Sequence, residues 1–231
     1  MKVILFGATG MVGQGALREC LLDPGVESVL AVVRAPTGRR HEKLRELVVA
    51  DFHDYSEVEK DLAGYDACFF CLGVTSAGLS ESEYRRVTYD IAVAAATVIS
   101  RLNPRLTFVF VSGTGADSTE RGRVMWARVK GATENAVLGL PFKASYVFRP
   151  AYIQPLHGIR SRTRLYRLLY VVVAPFYPVL KALFPRQVTT TEQMGRAMLA
   201  VARRGAPKRV LESADINGVV EGSDVQRAAG G

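Results

Sequence analysis

The sequence predicts an α/β fold in which a doubly wound parallel sheet carries helices on both faces and a small C-terminal helical lobe follows it. Three observations carry this expectation. Strand-length runs of Val, Ile, Leu and Phe alternate with longer stretches of helical pattern. Those runs are apolar throughout, as in strands covered on both faces. Three glycines follow the first run directly and open the first helical stretch.

The elements follow in order. Residues 2–6 form the first strand, and residues 11–22 a helix that stops at Asp23-Pro24-Gly25. Residues 28–33 and 46–50 are the second and third strands, and 56–63 a short helix. Residues 66–72 are the fourth strand, and 80–102 a long helix ended by Asn103-Pro104. Residues 106–111 are the fifth strand, 119–138 a helix and 144–148 the sixth strand, with a seventh expected near 209–211. Strand–helix–strand units joined this way are right-handed. Residues 1–150 therefore read as a Rossmann-type sheet domain. The regularity ends after Pro150, so residues 151–217 read as a small lobe or lid completing the same domain. A helix over 190–203 has threonines at its entry and arginines in its last turn. Residues 218–231 are expected to fray.

Composition bounds the rest. The 231 residues suit one domain. With 48% hydrophobic and 23% charged residues, the chain is not disordered. Cys20, Cys68 and Cys71 are too few for a disulfide scaffold, which points to a reducing, cytoplasmic setting. The opening apolar run stops at Gly7, short of the core of a signal peptide. A net charge of +8 permits anionic partners, but the basic residues are spread, so nucleic acid is not an expected partner. Cys68 and Cys71 fall three apart on one strand and point to opposite faces, and His41, His53 and His157 lack ligand spacing, so no metal site is expected.

Gly7-Ala8-Thr9-Gly10-Met11-Val12-Gly13 is the strongest motif. Between a first strand and a first helix, G-x-x-G-x-x-G is a variant of the dinucleotide fingerprint. The glycines allow a tight turn and close approach of backbone to phosphate, and the helix start favours an anion. The second strand ends at Arg34, where such a fingerprint for NAD has an acidic residue. A guanidinium suits a 2′-phosphate, and Arg39 and Arg40 follow in the same loop. NADP(H) is therefore expected over NAD(H).

With the glycines and Arg34, the motifs below make the chain resemble the compact NAD(P)-binding group of the atypical short-chain dehydrogenase/reductases, which are epimerase/dehydratase-like, from Met1 to about Ala202. The resemblance implies a Rossmann-type domain with a small C-terminal lobe. It places Asp51-Phe52 at the adenine, Cys71-Leu72-Gly73 beside the cofactor ribose, and Pro150 and Tyr152 near the nicotinamide amide. Ser112 falls on the active-site serine position, and Lys130 on the lysine that holds the nicotinamide ribose. The family tyrosine stands four residues before that lysine, on the same helix face. Here that position is Trp126, which has an N–H donor but no acidic hydroxyl. Tyr84, Tyr89 or Tyr152 could supply a replacement hydroxyl, and Thr88 and Asp90 are further candidates.

Residues 160–184 are basic at their start and apolar later, but Pro175 and Pro178 interrupt a stretch already too short to span a membrane. A lid, a homodimer contact or peripheral membrane contact remain open for it. Two functions are carried forward. One is an NADP(H)-dependent oxidoreductase or epimerase acting on a small carbonyl or hydroxyl substrate. The other is a non-catalytic NADPH-binding regulator, redox sensor or assembly protein.

Overall fold

A computed structural model describes residues 1–159 and 183–229. The stretch 160–184 discussed above lies outside these residues except for its last two. The element order is β1 (Lys2–Phe6), α1 (Met11–Leu22), β2 (Ser28–Val33), β3 (Leu44–Val48), a 3₁₀ turn (Ser56–Leu62), β4 (Ala67–Phe70), α2 (Glu81–Arg85), a π turn (Arg86–Asp90) and α3 (Ile91–Leu102). There follow β5 (Thr107–Val111), α4 (Met125–Gly139), β6 (Ala144–Arg149), β7 (Tyr152–Gln154), β8 (Val188–Thr190), α5 (Thr191–Arg204), β9 (Val210–Glu212) and α6 (Ser213–Ala229).

Seven strands form one parallel sheet in the order β3-β2-β1-β4-β5-β6-β9. This is the Rossmann-type α/β fold. The chain builds outward from β1 through β2 and β3, then crosses to β4 on the other side. That reversal opens a crevice beyond the carboxyl ends of β1 and β4, where ligands of such sheets bind.

The strands are apolar on both sides because each side meets helices. On one face, Val3, Leu5, Val29, Ala31 and Phe69 pack with Ala16, Leu17 and Cys20 of α1, Met194 and Met198 of α5, and Ile216 of α6. On the other, Ile4, Phe6, Leu30, Phe70 and Phe108 pack with Leu62, with Ala92, Ala95 and Ile99 of α3, and with Val137 of α4. Phe6, Phe70 and Phe108 run across that face with ring centroids 5.1 and 6.1 Å apart. Cys68 lies on the α3 side, whereas Cys71 packs on the α1 side. The pair faces apart, as strand alternation requires.

Several boundaries differ from expectation. β3 runs over Leu44–Val48 rather than 46–50, because parallel register sets Leu44 beside Val29 and Val48 beside Val33. The helix expected over 119–138 begins only at Met125. Asp117 intervenes: its carboxylate accepts from Thr119 N–H (3.0 Å), Thr119 Oγ1 (2.6 Å) and Gly122 N–H (2.6 Å), folding the chain into a turn. These bonds also hold the Asp117 carboxyl below its usual pKa, the Thr119 hydroxyl contributing most. The long helix expected over 80–102 is continuous, but it contains the π turn Arg86–Asp90. Beyond Pro150, β7 and β8 pair in a second small parallel sheet. The residues expected to fray from Gly218 continue as helix to Ala229.

Candidate functional site

The crevice at the sheet's reversal is a cleft of about 560 Å³. Gly7, Thr9, Arg34, Arg39, Phe52 and Leu72 are among its walls. Its floor is the glycine turn. Gly7 has φ +77, a conformation that favours glycine, and its carbonyl accepts the Gly10 N–H at 2.8 Å. A Cβ on Gly7 would lie 2.6 Å from the Cys71 carbonyl oxygen, and one on Gly13 only 2.0 Å from the Gly7 oxygen. The first glycine thus lets the turn nest beside β4, and the third lets α1 start against the turn. α1 carries no side-chain cap at Gly10 and no acidic residue in its first turn. The amide groups of Met11, Val12 and Gly13 therefore open toward the crevice with the positive end of the helix dipole.

The rim is basic. Arg34 is exposed and makes no hydrogen bond or ion pair among the described residues. Arg39 donates to Gln14 Oε1 (3.1 Å), and Gln14 Nε2 donates to the Thr9 carbonyl (3.1 Å), so the arginine loop is tied to α1 and the glycine turn. Thr37 donates from its N–H (3.0 Å) and its hydroxyl to Glu46, which fixes the same loop against β3. No carboxylate lines the cleft among the described residues. Phe52 is buried beside it, but Asp51 is turned to His53, accepting from its N–H (2.9 Å) and contacting Nδ1 (2.7 Å). Those contacts, the backbone one first, hold the Asp51 carboxyl below its ordinary pKa. Gly73 stands in the open chain past β4, with nothing near its Cα that a side chain would meet.

Ser112 follows β5, Trp126 lies in the first turn of α4 and Lys130 in its second, on the other side of the reversal. Ser112 is 9% exposed, and its Oγ is buried without a partner. The turn after it is held by the Thr114 N–H, which donates to the Pro150 carbonyl (3.1 Å). Trp126 leans on this turn: a Cβ on Gly115 would come 3.3 Å from its ring edge. Lys130, one helical turn on, has no hydrogen-bond or ion-pair partner among the described residues. Burial lowers its ammonium pKa, against a smaller opposing pull from Glu134.

The candidate replacement hydroxyls are placed differently. Tyr84 is 2% exposed in the core. The Tyr89 ring lies under the Arg85 guanidinium, 3.8 Å from its carbon. Tyr152 donates its hydroxyl to Gln154 Oε1 at 2.7 Å. Asp90 is exposed, whereas Thr88 Oγ1 in the π turn is buried and unpartnered. What sequence reasoning missed is the network that Arg149 makes. The arginine donates through Nε to both oxygens of the fully buried Glu134 (3.0 and 3.1 Å), bonds Ser118 Oγ (2.6 Å) and lies 3.7 Å from Glu212. One guanidinium thereby ties α4, the turn after β5, the end of β6 and β9 together.

The residues fit a dinucleotide. The glycine cradle that a Cβ would fill, the uncapped helix start, the unpaired arginine and the orphan Ser112 hydroxyl each await a polar ligand. A family model described as NAD(P)H-binding matches residues 7–137. The chain belongs to this NAD(P)H-binding family.

Protein FMP52-2, mitochondrial, of Scheffersomyces stipitis is 28% identical over 152 residues, covering 64% of this chain and 65% of that protein. The match to Candida albicans Protein FMP52, mitochondrial, likewise spans 66% of its length. The Meyerozyma guilliermondii protein of that name is 24% identical over 99% of this chain and 95% of its own. These mitochondrial names overturn the cytoplasmic location expected from the cysteine count. Few free cysteines mark a reducing environment, which does not by itself specify the cytoplasm. Among solved structures, MoeE5 in complex with UDP-glucose and NAD superposes with a TM-score of 0.64 at 17% identity, over 92% of this chain and 75% of that one. The dTDP-glucose 4,6-dehydratase DesIV of Streptomyces venezuelae, a double mutant with NAD bound, gives 0.67 at 13% identity, over 97% and 81%. These likenesses establish the shared fold.

Proposed function

We propose that this NAD(P)H-binding protein prefers NADP(H) and acts as an oxidoreductase or epimerase on a small carbonyl or hydroxyl substrate. The observation that carries the cofactor preference is the cleft rim, where Arg34 is unpaired and no carboxylate is present to repel a 2′-phosphate. The amide groups at the start of α1 hold the diphosphate, and Phe52 and Leu72 flank the adenosine. Asp51 supports the adenine loop through His53. Pro150 fixes the turn of Ser112 through Thr114, and Tyr152 follows it on β7 as the residue for the nicotinamide end. When bound, the nicotinamide supplies hydride chemistry, and the protein orients it. Ser112 holds the substrate oxygen through its orphan hydroxyl, Lys130 holds the ribose, and Trp126 walls the pocket.

Trp126 also supports a second reading, a non-catalytic NADPH-binding regulator, because the indole removes the family hydroxyl at the point of proton transfer. The two readings separate on one substitution. Trp126→Tyr is incubated with NADPH and a panel of aldehydes and ketones while NADPH absorbance is followed. Turnover by the wild type supports the enzyme. An inert wild type with an active Trp126→Tyr supports the regulator. Failure of either protein to bind NADPH removes both.

A further inference from the structure

Resting on the oxidoreductase reading above, we infer that Lys130 itself gives the proton to the substrate oxygen, in place of the hydroxyl absent at Trp126, and that Arg149 keeps Lys130 free to do so by holding Glu134. The placement supports this. Trp126, Lys130 and Glu134 succeed one another at four-residue intervals, so they share one face of α4. At the front of that face, Trp126 rests on the turn that follows Ser112. At the back, Glu134 is the natural counter-ion for an ammonium one turn away. It is instead engaged by Arg149 through three guanidinium contacts and is 1% exposed. Lys130 is left between them without a partner among the described residues.

The acidic groups on neighbouring elements are engaged by other partners or lie exposed. On α2, Glu81 accepts from Arg128 Nε (3.2 Å) and NH2 (2.6 Å). On β9, Glu212 faces Arg149 and accepts from Thr114 Oγ1 (3.3 Å). On the π turn packed against α4, Asp90 is exposed. Glu134 is the charged group that acts on Lys130. Burial therefore prevails over attraction, and the amine gives up its proton more readily than an ordinary lysine, the direction that favours a general acid. The orphan hydroxyls of Ser112 and Thr88 are aliphatic alcohols and cannot take this part.

The step balances with a reduced nicotinamide dinucleotide as hydride donor. The carbonyl carbon receives the hydride, and the C=O π pair moves to oxygen. That oxygen takes one proton from the Lys130 ammonium. The carbonyl is reduced, the dinucleotide is oxidised, and the neutral amine regains its proton from water.

Lys130→Arg separates holding a ribose from moving a proton. The guanidinium keeps the charge and the donors but does not deprotonate in this range. With phenanthrenequinone as the carbonyl probe and NADPH at saturation, so that any loss of ribose contact is compensated, the variant is expected to lose turnover about 100-fold or more. A second readout is independent of turnover. In the full chain with ¹³C-labelled lysine, the Lys130 signal, assigned by its loss in Lys130→Arg, is expected to titrate below the other lysines. Glu134→Gln should move that titration lower still, and Arg149→Met, which frees Glu134, should move it up. Turnover by Lys130→Arg within about threefold of wild type overturns the inference. So does titration of Lys130 together with the other lysines, or a wild type that binds NADPH and never turns over the probe. A wild type that fails to bind NADPH instead brings down the reading on which the inference rests.

Discussion

The two ends of the crevice are built from different materials. Around the turn between β1 and α1, recognition is made of backbone: a glycine at positive φ, a helix start without a cap, and close approaches that leave no room for a Cβ. Around β5, α4 and β6, it is made of side chains held by other side chains, with Arg149 at the centre. The backbone end can change little without ceasing to fit a diphosphate. At the side-chain end, side chains such as Trp126 can change while the scaffold stays the same. The contrast teaches where a shared fold fixes chemistry and where it leaves chemistry free.

Breaking the side-chain end has the largest expected effect on stability. Arg149→Met leaves the buried Glu134 carboxylate unpaired and should destabilise the fold by about 3–5 kcal/mol in urea denaturation. Binding of NADPH by the folded fraction should change little, because Arg149 does not line the cleft. Breaking the backbone end should do the converse to function. Gly13→Ala drives a methyl to 2.0 Å from the Gly7 oxygen, so NADPH affinity should fall about 100-fold or more, with a stability loss of about 1–3 kcal/mol. If Gly13→Ala bound NADPH normally, the division between the two ends would dissolve.

Smaller changes sharpen the comparison. Lys130 has a folded pKa below its unfolded value, so the charged amine weakens the fold at neutral pH. That penalty lifts as pH rises toward the unfolded lysine value of about 10.4. Lys130→Met should therefore raise the apo Tm at neutral pH by about 2–4 °C, and the gap should close in alkali. Asp117 has the opposite sign. Its folded pKa is lowered, so its contribution is present above the unfolded value of about 3.9 and is lost as pH falls through the folded one. Asp117→Asn should flatten the acid limb of the wild-type stability curve by a small margin.

What could be read in the sequence follows the same divide. The glycine turn, the strands and Arg34 were legible because backbone demands and buried parallel strands leave local signatures. Ser112, Trp126 and Lys130 could be placed in their elements, since the turn and the helix spacing are local too. The Arg149–Glu134 pair was not legible. Its partners sit 15 residues apart on different elements, and nothing local marks either as bound to the other. The late start of α4 was hidden for a related reason: a single carboxylate, Asp117, draws several donors into a turn within a stretch whose composition suits a helix. β7 and β8 are three residues each and owe their pairing to a contact across the chain. The π turn has no sequence signature of its own.

Calorimetric titration of the full chain with NADPH and with NADH, repeated on Arg34→Ala, decides whether the arginine at the cleft rim selects the cofactor. Wild type is expected to bind NADPH about 10–100-fold tighter than NADH, as a charge-assisted phosphate contact of about 1.5–3 kcal/mol gives, and Arg34→Ala to remove the difference. Equal affinities in the wild type, or a preference that survives the loss of Arg34, would contradict that selection.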